Sequence, residues 1–343
     1  MFDELLLRAY GLIVKTTVVP QQPGVSSRVF FVKLTDGRRL VVKESNWHAN
    51  FARDPSAVLE KVYSLAAVIQ SSGVPLQAAI KNKNGQFVTK DADRLLVVLD
   101  YIEGRTFSGR LEEFAAAGGA LGKWHRAGQK VGNVGDIPVD KPYEESRQLY
   151  LKDFRSQILA EHHCQLPEVC EMLRRHIDLL DQRLGEIDRT FKSNSPRTVS
   201  ILHNDFNKEN GLYRNDGSFV VFLDVDQLSG GPVVWDLGNT ISSLLDSMPK
   251  KTSQKNYRLA VEYFLLTYHR EFPLLSAEYL LILVAALRWD TMRILRSLRR
   301  HHFENNKLPA LTRKIKDCLL DRLEKNPQRL SFITLEWLER LLT

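Results

Sequence analysis

The sequence predicts an α+β chain in two lobes, a small β-rich one over residues 1–102 and a larger, mostly helical one over 103–343. Three observations lead there. The first hundred residues place apolar, β-branched runs between turn residues. Beyond them apolar residues recur at spacings of three and four. A single strand–loop–strand island, 198–226, interrupts that helical pattern. Antiparallel strands followed by segregated helices are the α+β arrangement.

In chain order, RVFFVKL (28–34), the turn DGR and RLVVKE (39–44) read as a hairpin. DPSAVLEKVYSLAAVIQSSG then reads as a helix, with Asp54 as N-cap, Pro55 at the first helical position and Gly73 as the stop. Val58, Val62, Leu65, Ala66 and Ile69 supply its apolar face. AAIKNKNGQFVTK predicts a second hairpin around Asn84-Gly85, and RLLVVLDYI (94–102) a buried strand. After EGRT (103–106) the pattern turns helical, in FAAAGGALGKWHRAG, ESRQLYLKDFRSQILAEHH, EVCEMLRRHIDLLDQRLGEIDRTF and again from 254 onward. The connector LDYIEG marks where a cleft between the lobes would lie.

Composition narrows the class. Of 343 residues, 43% are hydrophobic and 26% charged, the proportions of an ordinary globular protein. No run of about 18 apolar residues predicts a membrane span, and the N-terminus has no signal-peptide pattern. Cys164, Cys170 and Cys318 are too few and scattered for a disulfide framework, which fits a reducing cytoplasm. His162, His163, Cys164 and Cys170 match no zinc spacing. The net charge of +7 raises the question of nucleic acid. Its clearest source, RWDTMRILRSLRRHH (288–302), puts Arg293, Arg296 and Arg300 on one helical face. That face reads as solvated, with a phosphate or acidic-partner site as the alternative, and nucleic acid is not favoured.

The stretch ILHNDFNKENGLY (201–213) carries the chemistry. Phosphoryl transfer needs an oriented nucleophile, metal ions on the phosphates and groups that hold the nucleotide. Asp205 is placed to accept a hydroxyl proton, and Asn210, five residues on, to offer an amide oxygen to Mg²⁺. Asp224, fourteen residues further at the end of VVFLD, supplies a second metal ligand. The plain alternative is a turn capped by Asp205 and Asn210. His203 braces the loop or shares its chemistry, and Asp226 is a secondary metal or substrate candidate. In the first lobe Lys43 sits where an ammonium can meet the α- and β-phosphates, with Glu60 expected to pair with it from the helix. Ser26 and Ser27, after Gly24, offer hydroxyls and N–H groups to phosphate, and backbone groups near Asp100 and Ile102 are expected to meet adenine. ATP and Mg²⁺ are the cofactors this scheme requires. Trp289 and Asp290 are assigned core or surface positions rather than the acceptor pocket.

HNDFNKEN, FLDVDQLSGGPVVWDLGN, the VVK strand, LEKVYSLAAVIQSSGVPL and VVLDYIEG together resemble the aminoglycoside phosphotransferase and choline kinase superfamily, over about residues 20–245. The resemblance implies a bilobal protein-kinase-like fold, Asp205 as base, Asn210 and Asp224 as Mg²⁺ ligands, and Lys43 with Glu60 on ATP. It implies structural roles for Asp236, in VVWDLGN, and His125, in LGKWHRAG. Asn204 stands where the family most often has Gly, and Asn207 where protein kinases keep a lysine. The expected activity is phosphorylation of a small polar metabolite bearing a hydroxyl: a sugar or amino sugar, homoserine, an amino alcohol or an aminoglycoside. A Ser/Thr protein kinase and a non-catalytic ATP-binding scaffold are the alternatives.

Overall fold

The computed structural model describes residues 3–18, 27–45, 54–92, 94–131, 167–249, 252–302 and 334–342. Ser26, Gly24, the helix expected over ESRQLYLKDFRSQILAEHH, the His162–Cys164 run and Cys318 lie outside them.

A six-stranded antiparallel sheet forms the first lobe, from β1 (Val14–Val18), β2 (Ser27–Leu34), β3 (Arg39–Ser45), β4 (Ala79–Ile80), β5 (Val88–Asp91) and β6 (Arg94–Asp100). Strand alternation sorts its side chains into two layers. Leu40 and Val42 of β3, with Phe30, Val32, Leu34, Leu96 and Val98, face helix α1 (Asp3–Tyr10), whose Leu5 and Leu6 cover that side. Val41, Val97 and Leu99 face the opposite way, into the main core. Lys43, two residues beyond Val41, therefore points into the cleft beneath the sheet.

Helix α2 (Pro55–Ser71) is capped as its sequence implies, the Asp54 carboxylate accepting from Ser56 N–H at 3.0 Å. Its buried face runs through Leu59, Val62, Tyr63, Ala66 and Ile69, rotated from the expected Val58–Leu65 line. The second hairpin also differs from expectation. β4 and β5 do not pair with each other: both lie on the free edge of β6, β4 against Val98–Leu99 and β5 against residues 94–97. Asn82 makes the bend, its Oδ1 accepting from Asn84 and Gln86 N–H and its Nδ2 donating to Thr89 Oγ1. A local side chain has replaced part of the ladder.

The second lobe begins with β7 (Arg105–Thr106) and continues with α3 (Leu111–Gln129), α4 (Pro167–Ser193), β8 (Val199–Leu202), β9 (Gly211–Tyr213), β10 (Phe219–Phe222), β11 (Ser229–Pro232), α5 (Val233–Leu245), α6 (Gln254–Glu271), α7 (Tyr279–His302) and α8 (Leu335–Leu342). The expected single island is two small sheets. β8 pairs with β11, while β9 pairs with β10 and β7. The loop 203–210 thus leaves one sheet and enters another, and both its ends are fixed.

Close helix packing supports this loop from below. Gly118 and Gly122, one turn apart on α3, lie against α6. A Cβ at Gly122 would stand 2.7 Å from Glu271 Cβ and 2.9 Å from the Tyr268 carbonyl, and one at Gly118 would strike the Phe264 carbonyl. Backbones this close leave no room for a methyl group. Gly118→Ala is expected to destabilise the protein by about 1–3 kcal/mol, measured as a lowered urea midpoint at unchanged slope.

Candidate active site

The loop that carries Asp205 is built on a buried carboxylate. Asp236, in the first turn of α5, accepts from His203 N–H at 2.6 Å through Oδ2 and from Asn204 N–H at 2.8 Å through Oδ1. His125 of α3 adds its Nε2 to the same Oδ2 at 3.1 Å, and the Tyr268 hydroxyl meets its Nδ1 at 2.8 Å. Burial works against the Asp236 charge, but these donors and the nearby imidazoles hold its carboxyl below the usual range. Asn204 takes a left-handed φ of 63°, which explains why glycine suits this position and why asparagine is tolerated. Its amide also does something glycine cannot, donating to Gln227 O and Ser229 Oγ, both at 2.7 Å.

His203 is fully buried, packed between Trp124, Phe206 and Phe222. Its Nε2 lies 3.0 Å from the Leu223 carbonyl, and burial pulls its pKa down. It is a neutral brace between the loop and the segment leading to Asp224.

Asp205 has both carboxylate oxygens oriented by neighbours. Asn207 Nδ2 donates to Oδ1 and Asn210 Nδ2 to Oδ2, each at 3.0 Å. Burial, then the charge of Asp224, pushes its pKa up to about 6, a value suited to a base working near neutrality. Asn207 was a site residue hidden from sequence reasoning, where it registered only as a missing lysine. Lys208 points outward, 53% exposed beside Glu209, and does not enter the cleft.

Asp224 and Asn210 are tied by the backbone bond from Leu223 N–H to Asn210 O at 3.0 Å. Asp224 follows β10 in a left-handed conformation, φ 55°. Because Asn210 spends its NH₂ on Asp205, its Oδ1 is left without a partner among the described residues. Asp224 gives Oδ1 to Lys43 yet keeps its side chain 34% exposed. Two hard oxygen donors therefore border one space, which fits Mg²⁺, an ion that commonly takes few protein ligands and completes its shell with phosphate and water oxygens.

Lys43 is buried, its ammonium 2.6 Å from Asp224 and 2.8 Å from Asp226. Burial alone would lower its pKa, but the two carboxylates overcome that and raise it. Asp226, buried and also accepting from the Tyr63 hydroxyl at 2.8 Å, is pushed up by burial despite Lys43. The expected Lys43–Glu60 pair is not formed. Glu60 instead accepts from the backbone N–H groups of Phe87 and Val88 at 2.8–3.0 Å. The rotated face of α2 explains this: Tyr63, one turn on, is the residue it turns toward Lys43 and Asp226. Ser27 is buried at the start of β2, opposite Ser45.

At the connector, Asp100 is already committed. Its N–H donates to Ala78 O at 3.0 Å and its carbonyl accepts from Gln77 Nε2 at 2.7 Å. Ile102 keeps both backbone groups unbonded among the described residues. Phe31, Tyr101 and Arg39 cluster at this mouth, the guanidinium 4.2 Å from the Tyr101 ring centre. Trp289 and Asp290 are buried and bond Ser243 and Ser242 of α5, so both serve the core.

A sheet lobe that lowers a buried lysine onto Asp224, beside a loop bearing Asp205 and Asn210, defines a bilobal kinase-like phosphotransferase. The profile of the phosphotransferase enzyme family (APH) matches residues 17–271, and the chain belongs to that family. No curated protein matches it. Among solved structures it is similar to an aminoglycoside phosphotransferase from Alicyclobacillus acidocaldarius, with TM-score 0.69, 16% identity, and coverage of 100% of this chain and 96% of that one. A microcompartment-associated aminopropanol kinase gives 0.69 at 14% identity, covering 97% and 98%. The amicoumacin kinase hAmiN, in complex with AMP-PNP, Ca²⁺ and Ami, gives 0.67 at 16%, covering 93% and 91%. At these identities the likeness establishes the fold. No described helix is long and apolar enough to cross a membrane.

Asp236→Asn is expected to be nearly as damaging as Asp236→Ala, because an amide cannot accept from the His203 and Asn204 N–H groups with both of its atoms. A loss on the order of 3 kcal/mol is expected, read by urea unfolding of both variants.

Proposed function

We propose that the protein transfers the γ-phosphoryl group of ATP, with Mg²⁺, to the hydroxyl of a small polar metabolite. The observation that carries this reading is the division of labour in one loop. Asn210 uses its amide nitrogen to orient Asp205 and leaves its oxygen without a partner among the described residues, while its carbonyl is bonded to Leu223 N–H, next to Asp224.

Asp205 takes the acceptor's hydroxyl proton as the acceptor oxygen bonds to the γ-phosphorus and the bond to the β-phosphate oxygen breaks, releasing ADP. Lys43, freed from Asp224 and Asp226, is the cation for the α- and β-phosphates, and Ile102 offers adenine its backbone N–H and carbonyl. Asn210 Oδ1 and the exposed oxygen of Asp224 would hold the metal, which supplies charge neutralisation on phosphate oxygens when bound. Asn207 and Asn210 keep the Asp205 carboxylate aimed throughout.

A small acceptor is supported by the relatives of this fold, whose names give an aminoglycoside, an aminopropanol and amicoumacin. It is supported also by the short path after Asp224, which enters β11 at Ser229 with no room for a long regulated segment.

ADP release with Mg-ATP, measured across sugars, amino acids, amino alcohols, aminoglycosides and a generic protein substrate, tests this reading. Asp205→Asn is expected to lower acceptor-stimulated turnover by at least about 100-fold while Mg-ATP still binds. Asn210→Ala is expected to raise the Mg²⁺ concentration for half-maximal rate on the order of tenfold. Wild-type protein that fails to bind Mg-ATP would overturn the assignment.

A further inference from the structure

The cleft wall opposite the sheet can be followed outward from the base. Phe107 N–H donates to Lys208 O at 3.2 Å, tying the segment 107–109 to the catalytic loop. Gly109 lies against the end of α5, where a Cβ would meet Met248 Cα and Ser247 O at 3.6 Å. Two residues before Met248, Asp246 pairs with Arg293 of α7 at 2.9 Å. The field of Arg293 reaches the Asp205 carboxylate.

The charge pattern of this wall discriminates among acceptors. An amino sugar, amino alcohol or aminoglycoside carries ammonium groups and needs open carboxylates. Asp246, the acidic residue of the wall, already has its charge engaged by Arg293. Arg293 gives it a single nitrogen, Nη1, and its side chain is 24% exposed. The remaining donors of its planar fork have no bond among the described residues, and a guanidinium fork has the geometry that binds carboxylate bidentately. The three carboxylates Asp205, Asp224 and Asp226 would repel an anionic acceptor unless a fixed cation stood beside them, and Lys208 is turned away.

We propose that Arg293 holds a carboxylate of the acceptor, so that the substrate is a carboxylate-bearing alcohol, a hydroxy acid or hydroxy amino acid, presented hydroxyl-first to Asp205. The inference rests on the kinase reading above and narrows it. Arg293 is then a specificity residue and Asp246 the group that fixes its guanidinium.

Matched acceptors that differ only by the carboxylate provide the test: homoserine against 3-aminopropan-1-ol, serine against ethanolamine, and glycerate against ethylene glycol. The wild type is expected to favour the carboxylated member of at least one pair by tenfold or more in kcat/KM. Arg293→Met is expected to collapse that ratio at least tenfold, mainly through KM, and Arg293→Lys to fall between. The Mg-ATP dissociation constant of each variant reports whether it is folded. Preference for carboxylate-free acceptors, turnover of no carboxylated acceptor, or a ratio that survives Arg293→Met would overturn the inference while Mg-ATP binding stands. Loss of Mg-ATP binding in the wild type would overturn the kinase reading beneath it.

Discussion

The Asp236 carboxylate sets the shape of the loop beneath the cleft. Two consecutive backbone N–H groups, at His203 and Asn204, converge on its two oxygens. That convergence demands the left-handed turn at Asn204, and the turn in turn aims Asp205 into the cleft. A buried anion without donors would cost several kcal/mol; with three donor groups at hand it becomes a template. The Tyr268–His125–Asp236 series extends this template to α6, and the glycine-mediated contact of α3 with α6 keeps the series in register. Packing in the helical lobe and chemistry in the loop are therefore one problem.

Across the cleft the governing interaction is an exchange of partners. Lys43 neutralises Asp224 and Asp226, so two carboxylates are met by one ammonium. In the proposed reaction, phosphate and metal entering together would offer each group a replacement: anionic oxygens for the lysine, a divalent cation for the aspartates. The buried pair is a store of matched charge, held dry and ready for rearrangement, and its stability in isolation is less important than its reversibility.

The local part of this design was legible in the sequence. Asp205, Asn210 and Asp224 are separated by one loop and one short hairpin, so spacing alone limits where they can go. The two-lobed α+β plan followed from a change of apolar period, which is also local. What escaped depended on helix phase and on distant partners. Val58 and Leu65 satisfy a helical period with Val62 and Ala66 as well as Leu59 and Tyr63 do, and only the packed structure chooses Tyr63 for the cleft and sends Glu60 to the backbone N–H groups of Phe87 and Val88. Backbone groups near Asp100 were expected to meet adenine because Gln77, 23 residues earlier, gives no sign in the sequence of claiming the Asp100 carbonyl. The pairing of β4 and β5 with β6 was likewise decided by Asn82 acting within its own turn.

Glu278 shows what such distant partners mean for the making of the protein. It is buried before α7 and accepts from Arg197 and Thr198 N–H and the Thr198 hydroxyl, fastening the chain just before β8. The contact spans 80 residues, as the Lys43–Asp224 contact spans 181. As the chain emerges from the ribosome, Trp124 can already bond Ile201 O and Ser200 can bond His125 O, but the Arg197 and Thr198 N–H groups at the entry to β8 have no carboxylate until Glu278 appears. The entry to β8 is thus completed only when most of the helical lobe exists. A nascent chain stalled before residue 278 would carry Asp205, Asn210 and Asp224 and lack this one fastening at the entry to β8.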